Sequence, residues 1–392
     1  MRLAIVETSP HGGLLHYAVQ LADALARRGH AVDLIAARGN ELQDHRGPAR
    51  MRAVLARSAP SAAAPAGGAV AYAARRAGIA LRLLRAWGRI MREARASSYD
   101  AVLLGDFALS LTAAGGLLLT ALPGRPVLAE ICHNVRPYNK WGGDELHESS
   151  PLLHALLRRL YPRFELVLVH GERSREEFEA TWPPARAAVI PHGDERIFGD
   201  PPPPSEEERV LFFGDWRKVK GLPVLMEAFD LLAARRPAAR LTIAGTPAPD
   251  GDPATVRAWA ADRAGRVTLV DRYVPVDEVA GLFAGARVVA TPYLVASQSG
   301  VVHVAMTMQR AVVASDVGDL RTAVADRETG LLVAPGDPAA LAAALEEILA
   351  DRELADRFGA EARRRVLRDS SWEAVAELVE SELRRTVLAE RA

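Results

Sequence analysis

Short apolar runs alternate with helix-length segments along almost the whole chain. The first instance comprises an apolar run at Leu3–Val6, a loop of sequence SPHGG, a helical apolar period from Leu14 to Leu25, and a second run at Ala31–Ala36. A strand, a glycine-containing turn, a helix and a strand form a βαβ unit, whose strands run parallel. Because parallel sheets are covered by helices on both faces, the pattern predicts an α/β fold with doubly wound parallel sheets.

This alternation occurs twice, once on each side of a proline run. Pro201–Pro204 followed by Ser-Glu-Glu-Glu has the composition of a stiff, polar connector. The 392 residues are enough for two domains, which we expect at 1–200 and 205–368, with helices following at 369–392. The later strands are predicted at Ala101–Leu104, Val127–Ile131, Leu166–Val169, Val210–Phe213, Leu241–Ala244, Val267–Val270, Val288–Ala290 and Ala311–Ala314.

The charge balance and the cysteine content exclude several classes of protein. Forty-nine basic residues balance 49 acidic ones, so nothing indicates a nucleic-acid binder, which normally carries a basic excess. The single cysteine, Cys132, excludes a disulfide framework and suits a reducing compartment. The N-terminus predicts a strand and not a signal peptide. The longest uncharged stretch, Phe107–Gly124, is too short and interrupted to span a bilayer and predicts a buried helix. We therefore expect a cytoplasmic protein.

A basic segment between Arg75 and Arg95 has two interpretations. Seven arginines are interspersed there with apolar residues, which predicts an amphipathic helix. Such a helix could lie on anionic lipid, or it could be an ordinary helix with a solvated face, since this chain uses arginine for nearly all of its positive charge. Contact with a membrane surface is left open, as is the oligomeric state. The preceding low-complexity stretch Ser58–Ala69 predicts a mobile loop.

Two loops in the second half have the chemistry of phosphate-binding sites. The chain has no GxxxxGK[ST] segment, and no GxGxxG follows the first strand, which argues against a P-loop NTPase and a simple dehydrogenase. The loop from Gly214 to Gly221 reads GDWRKVKG and holds two of the three lysines of the chain. An ammonium and a guanidinium near a helix N-terminus suit a diphosphate; an exposed charged turn is the alternative.

The second such loop is Ser297–Gly300, of sequence SQSG, which follows a strand and opens a helix. A serine and a glycine there offer a hydroxyl and backbone N–H groups to an anion, although they would also serve as a simple helix cap. In the first half, Gly12 and Gly13 follow the first strand, where bare backbone permits close approach of a ligand. His133 and Asn134 also follow a strand, at the end where ligands bind in such sheets.

In their order and spacing these segments resemble the GT-B glycosyltransferases, and most closely retaining glycosyltransferase family 4 (group 1), in the branch with an ASQSG segment. The resemblance covers nearly the whole chain and implies two Rossmann-like domains facing a central cleft, with helices around Trp372 crossing back onto the first domain. The segments that carry it are GG at 12–13 with YAVQLADALARRGHAV, CHNVRPYN at 132–139, IPHG at 190–193, LFFGDWRKVKG, RYVPVDEVAGLFAGARVVATPY, ASQSGV, AVVASDVGDL and ETGLLVAPGD.

The resemblance implies transfer of a sugar from a UDP-, GDP- or dTDP-sugar to a hydroxyl of a glycan, a lipid-linked or a small-molecule acceptor, with retention of configuration. It implies no cofactor and no metal ion, because cationic side chains and helix dipoles neutralise the leaving diphosphate. His133 matches the active-site histidine of the family. The implied donor-diphosphate residues are Gly13, Arg217, Lys220, Ser299 and Gly300. Those implied near the donor sugar and nucleotide are Gly12, Asn134, Gly214, Tyr273, Val274, Val295, Gln298 and His303.

The sequence departs from the family at two acidic positions. Many members carry two glutamates eight residues apart, which are implied to bind the sugar hydroxyls and the ribose. Val295 and His303 stand there in this chain, and no Asp or Glu occurs between Arg287 and Ser315. Either His303 or Asp319 supplies the missing contact, or the donor preference is altered. Two alternatives to a transferase are a chain that has lost transfer activity and acts as a binding or partner subunit, and a nucleotide-sugar epimerase.

Overall fold

A computed structural model describes residues 1–56, 69–96, 98–105, 107, 109–136, 150–201, 203 and 207–391. These residues form two compact units: the first holds those of 1–136, 150–191 and 372–391, and the second those of 192–371. The domain limits 1–200, 205–368 and 369–392 stay predictions, because a compact unit need not fold by itself. Most of the predicted loop Ser58–Ala69 lies outside the described residues, as do Pro202 and Pro204 of the predicted connector.

A parallel sheet forms the centre of the first unit. Its strands, as far as the chain is described, are β1 (Arg2–Glu7), β2 (Ala31–Ala37), β3 (Arg50–Leu55), β4 (Ala101–Leu104), β5 (Val127–Ile131), β6 (Leu166–Val169) and β7 (Ala188–Val189). They lie in the order β3-β2-β1-β4-β5-β6-β7, which is the predicted doubly wound arrangement. The edge strands β3 and β7 were not predicted, because arginines interrupt the first and the second has only two residues.

The second unit is built in the same way. Its described strands are β8 (Arg209–Phe213), β9 (Arg240–Ala244), β10 (Val267–Val270), β11 (Val288–Thr291), β12 (Ala311–Ser315) and β13 (Gly330–Val333). They lie in the order β10-β9-β8-β11-β12-β13, and adjacent strands pair in parallel. The sequence predicted each of them except β13.

Helices cover both faces of each sheet. In the first unit, α2 to α5 share one apolar cluster with alternate residues of the strands, such as Val6 and Leu104. The alternate strand residues outside this cluster point to the opposite face of the sheet. That face is covered by α1 and α13, which pack on each other. The helices within the described ranges are α1 (Gly13–Arg27), α2 (Ala69–Ala96), α3 (Ser110–Thr120), α4 (Pro151–Leu160), α5 (Glu172–Thr181), α6 (Leu222–Arg235), α7 (Pro253–Ala261), α8 (Val276–Ala284), α9 (Gly300–Thr307), α10 (Leu320–Ala323), α11 (Pro338–Ala350), α12 (Arg352–Asp369) and α13 (Trp372–Arg391).

The helix α3 differs from its prediction. The stretch Phe107–Gly124 does contain a helix, but Leu111 and Leu118 are 37% and 59% exposed. An uncharged helix on the outside of a sheet buries only the side that faces the strands, so the expectation of a buried helix was wrong for its outward side. None of the helices in the described part of the chain is long and apolar enough to cross a membrane.

An ion pair ties α13 to α1. Arg28 directly follows α1, and its Nε donates to Glu380 Oε2 at 2.5 Å. The hydrogen bond from Arg28, with further help from Arg384 and His30, lowers the pKa of Glu380 to about 2. On the same pair of helices, the rings of Tyr17 and Trp372 meet edge to face with centroids 4.9 Å apart. The C-terminal helix therefore belongs to the first unit through both apolar and charged contacts.

Candidate active site

The order of strands in the second sheet reverses between β8 and β11. In open α/β sheets, ligands bind at such a point, outside the carboxyl ends of the strands. β8 leads into the loop 214–221, and β11 leads into the segment 292–299. The two predicted phosphate sites therefore follow adjacent strands of one sheet.

Backbone contacts hold these two segments together. The Leu294 N–H donates to Val219 O at 2.8 Å. Gly221 ends the loop with φ of 68° and is the residue before α6. A Cβ at Gly221 would lie 1.9 Å from Pro292 O, so only glycine permits both this backbone conformation and this approach. The close approach of the two segments therefore explains why the loop ends in glycine.

Tyr293 links the two predicted phosphate sites. The Lys220 ammonium lies 3.8 Å from the centroid of the Tyr293 ring, which is a cation–π distance, and the Ser299 hydroxyl donates to the Tyr293 hydroxyl oxygen at 3.2 Å. Tyr293 is 1% exposed, so packing fixes the ring between its two neighbours. Sequence reasoning did not assign Tyr293 to the site, and its only signal was its position just after a predicted strand.

Arg217 and the start of α9 complete this region of the second unit. The Arg217 side chain is 14% exposed, and its Nε lies 4.0 Å from Asp215 Oδ2. The Ser299 hydroxyl oxygen accepts from the Val302 N–H at 3.4 Å, so the predicted capping role of this serine is present. Since that hydroxyl is engaged on both sides, an anion at this helix would be bound mainly by backbone N–H groups of the first turn, beginning at Gly300.

A buried histidine pair and a carboxylate lie beside the start of α9. The rings of His303 and His192 stack with centroids 4.6 Å apart, and His303 Nδ1 lies 3.1 Å from Ser299 O. Burial lowers the pKa of His303, which keeps its imidazole neutral at pH 7. Glu195 is 3% exposed, and its Oε1 would lie 3.8 Å from a Cβ at Gly300. The sequence analysis did not predict Glu195 as a site residue, although it lies only two residues after the IPHG segment at 190–193.

The other residues predicted near the donor are distributed around the same sheet edge. Val274 is buried in a core cluster, so a ligand there would meet its backbone and not its side chain. Gly214 donates from its N–H to Ala244 O at 2.9 Å. Tyr273, Val295 and Gln298 are half-buried. Within the described ranges, no group of three or more His, Cys, Asp and Glu side chains is placed to hold a metal ion.

In the first unit, His133 belongs to an aromatic cluster at the carboxyl ends of β5 and β6. His133 is 6% exposed, and its Nδ1 lies 3.0 Å from Nε2 of His170, which directly follows β6. The Tyr17 ring meets the His133 ring edge to face at a centroid distance of 4.7 Å. The imidazole of His133 is therefore oriented by two neighbours. Neither was predicted, because His170 and Tyr17 come close to His133 only through strand order and helix packing.

Gly12 and Gly13 lie where the chain passes from β1 to α1. A Cβ at either position would meet nothing within 4 Å, so the backbone there is accessible from outside. Glu41, from the loop after β2, accepts from the Gly12 N–H at 2.7 Å and lies 2.7 Å from His16 Nε2. The glycine turn is thus held in place by a carboxylate and a histidine that sequence reasoning did not assign. Asn134 is half-buried beside His133.

Two family models match the chain. Residues 11–193 match the model described as Glycosyltransferase Family 4, and residues 207–351 match the model described as Glycosyl transferases group 1. The two matches fall on the two halves that carry the doubly wound sheets. The chain therefore carries a glycosyltransferase family 4 domain in its first half and a group 1 domain in its second. These matches confirm the resemblance that the motifs indicated.

Named proteins similar to this chain include a phosphatidyl-myo-inositol mannosyltransferase of Mycolicibacterium smegmatis. That relative is 36% identical over 199 residues, which are 48% of this chain and 50% of the relative. The chain thus spans half the length of this relative, and 40% of the length of a D-inositol 3-phosphate glycosyltransferase of Corynebacterium efficiens.

Two solved structures resemble the chain over nearly its full length. Sucrose-phosphate synthase from Thermosynechococcus elongatus has a TM-score of 0.76 at 22% identity, with 99% of each chain covered. HepE of Anabaena, in complex with UDP-glucose, has a TM-score of 0.71 at 17% identity, with 98% of this chain and 100% of that chain covered. At these identities the likeness concerns the fold, and it confirms the predicted GT-B class.

Proposed function

We propose that this protein transfers a sugar from a nucleotide-diphospho-sugar to a hydroxyl acceptor, with retention of configuration. The two glycosyltransferase domain matches support the reaction class. The observation that carries the proposal is the contact series Lys220–Tyr293–Ser299, which joins a cation-bearing loop to a helix N-terminus at the switch point of one sheet. Charge-assisted groups and helix N–H groups at such a point are the means by which proteins bind diphosphates without a metal.

In the proposed reaction, the bond between the sugar C1 and the diphosphate oxygen breaks, and a bond from C1 to the acceptor oxygen forms. The acceptor hydroxyl loses its proton, and the departing diphosphate takes up the negative charge and accepts that proton. Arg217, Lys220 and the first N–H groups of α9 stabilise the charge that develops on the leaving oxygen. The compact lysine ammonium, held over the Tyr293 ring, is already placed before the substrate binds, so little reorganisation is needed.

We assign His133 to the transferred sugar and His170 to the orientation of His133. The Nδ1 of His133 lies 3.0 Å from His170 Nε2, so the His170 ring holds the His133 ring in one orientation. Fixing one nitrogen of an imidazole selects the tautomer and the rotamer of the ring. His170 therefore acts as a positioning residue, whereas His133 would touch the sugar. Gly12 and Gly13 would admit the sugar close to the backbone.

The donor pocket of this chain differs from that of relatives with two glutamates. Val295 offers no hydrogen-bond acceptor, and His303 is neutral and already near Ser299 O. Glu195 is a buried carboxylate close to the start of α9, and in this proposal it takes over one of the missing contacts. We propose that the donor lacks or masks the hydroxyl that a glutamate at position 295 would bind, as in a deoxy or an N-acetylated sugar.

The absence of the two family acids also favours a second candidate function, in which the chain binds a nucleotide but has lost transfer. Calorimetry with UDP, GDP and dTDP, followed by measurement of nucleoside diphosphate release from the matching sugars, separates the two functions. Turnover with an acceptor supports transfer, and binding without release supports the second candidate.

The diphosphate assignment is tested with Lys220→Ala, and Lys218→Ala is the control from the same loop. Loss of a charge-assisted contact of about 1.5–3 kcal/mol should weaken nucleoside diphosphate binding roughly 10- to 150-fold for Lys220→Ala. Lys218→Ala should stay within about threefold, because the proposed diphosphate contact is made by Lys220 and not by Lys218. Equal effects of the two variants would remove Lys220 from the site.

A further inference from the structure

Three helices of the first unit form one continuous outer surface. α2, α3 and α4 contribute to the same apolar cluster on one face of the sheet, and α3 packs against both α2 and α4. The approach of α2 to α3 is close, because a Cβ at Gly115 would lie 2.2 Å from the Trp87 ring. The outward sides of these helices therefore adjoin, and we call them the α2–α4 surface.

The α2–α4 surface concentrates exposed leucines. Eight large apolar side chains are exposed in the described part of the protein, and five of them are on these three helices. Single exposed leucines are normal, but several on adjoining helices mark a surface that binds something. The five are Leu81 at 48%, Leu84 at 58%, Leu111 at 37%, Leu118 at 59% and Leu152 at 60% exposure.

The same surface carries positive charge, and the three helices that form it contain a single acidic residue. The one acidic residue of α2, Glu93, is 8% exposed and pairs with Arg52 and Arg89. α3 and α4 contain no acidic residue. A chain of zero net charge thus has a strongly one-signed region. Five arginines of α2 and α4 are exposed and form no ion pair with any described side chain: Arg85, Arg92, Arg95, Arg158 and Arg159.

We propose that the α2–α4 surface docks on a bilayer of anionic phospholipid. The leucines would enter the boundary between headgroups and acyl chains, and the arginines would contact the phosphates. Charge complementarity selects this occupant, because two copies of the same positive surface would repel each other. An ordinary solvated helix face, the other interpretation of the segment between Arg75 and Arg95, does not account for the outward position of Leu81 and Leu84.

The test is sedimentation of the full chain with two kinds of vesicle. One kind is phosphatidylcholine alone, and the other is phosphatidylcholine and phosphatidylglycerol in equal parts. We expect binding to the second kind only, and weaker binding at high salt, because the charges are screened. Replacement of Arg85, Arg92 and Arg95 by Gln should weaken binding on the order of 100-fold, since each arginine near an anionic surface contributes roughly fivefold.

The leucine contribution is tested with Leu84→Asp and Leu118→Asp, and the matched control is Leu388→Asp. Leu388 is 69% exposed on α13, which covers the other face of the sheet. Each of the first two variants should lower vesicle binding at least tenfold, and the control should not change it. Circular dichroism and nucleoside diphosphate calorimetry on each variant report the fold and the donor site separately, so this proposal can fail without affecting the proposed function.

Three outcomes would overturn the membrane proposal: equal binding to both kinds of vesicle, no binding to either, or the same loss for Leu388→Asp as for Leu84→Asp. Sedimentation velocity without lipid tests the other occupant. Self-association that Leu84→Asp abolishes would assign the surface to a second copy of the chain and would also overturn the proposal.

Discussion

Replacing Gly221 by alanine tests whether the contact between the loop 214–221 and the segment after β11 is needed for both stability and ligand binding. The φ of 68° is a left-handed conformation that costs an L-residue about 1–2 kcal/mol. The added Cβ would start 1.9 Å from Pro292 O. Because backbone carbonyls cannot rotate away, the loop must shift by roughly 1–1.5 Å, and overpacking of this kind costs about 1–3 kcal/mol. We expect a total loss of about 2–5 kcal/mol.

Gly265→Ala is the matched control in the same unit. Gly265 has φ of 83°, and a Cβ there would meet nothing within 4 Å, so this variant carries the backbone strain without the overlap. Urea unfolding should show Gly221→Ala to be less stable than Gly265→Ala by about 1–3 kcal/mol. Calorimetry should show weaker nucleoside diphosphate binding for Gly221→Ala only, because the shift moves Lys220 away from Tyr293. Equal unfolding midpoints, or unchanged affinity in Gly221→Ala, would refute this reasoning.

Three further predictions concern the histidines, the donor and the C-terminal helix. His133→Ala should lower kcat and leave the affinity for nucleoside diphosphate nearly unchanged. His170→Gln should retain more of kcat than His170→Ala, because glutamine can still donate a hydrogen bond to His133. Full turnover in His133→Ala would show that this histidine has only a structural role. When a hexose donor competes with its deoxy analogue, the natural chain should favour the deoxy sugar, and the Val295→Glu variant should favour the hexose. A preference of about 100-fold or more for the hexose in the natural chain would contradict the proposal. Glu380→Gln should destabilise the protein by about 1–3 kcal/mol at pH 7. The pKa of Glu380 is about 2 in the folded protein and about 4.5 in the unfolded chain. The stability difference between the natural chain and Glu380→Gln should therefore be complete above pH 4.5 and shrink as the pH falls towards 2. A difference in urea unfolding that stays constant between pH 7 and pH 3 would show that Glu380 does not act through its charge.

The sequence by itself determined the fold class and most of the strands. Buried parallel strands are apolar along nearly their whole length, so runs such as Ala101–Leu104 and Leu166–Val169 were predicted with the bounds that the structure has. The loop 214–221 could be proposed as a phosphate site for a related reason, since its lysines and glycines lie together within eight residues of sequence. Strands that bury little, such as β3 and β7, give no such pattern and were missed.

Only the tertiary structure decided which side chains work together. The side chains of His133 and His170 meet although they are 37 residues apart in sequence, and the backbone N–H of Glu195 donates to the Thr307 hydroxyl across 112 residues. Tyr293 joins Lys220 to Ser299 because β8 and β11 are neighbours in the sheet, although β9 and β10 lie between them in the chain. The local pattern of apolar residues predicts which side of each segment is buried. It does not predict which residues meet across the sheet, because that depends on the order in which the strands pair, and the packing of the whole unit sets this order.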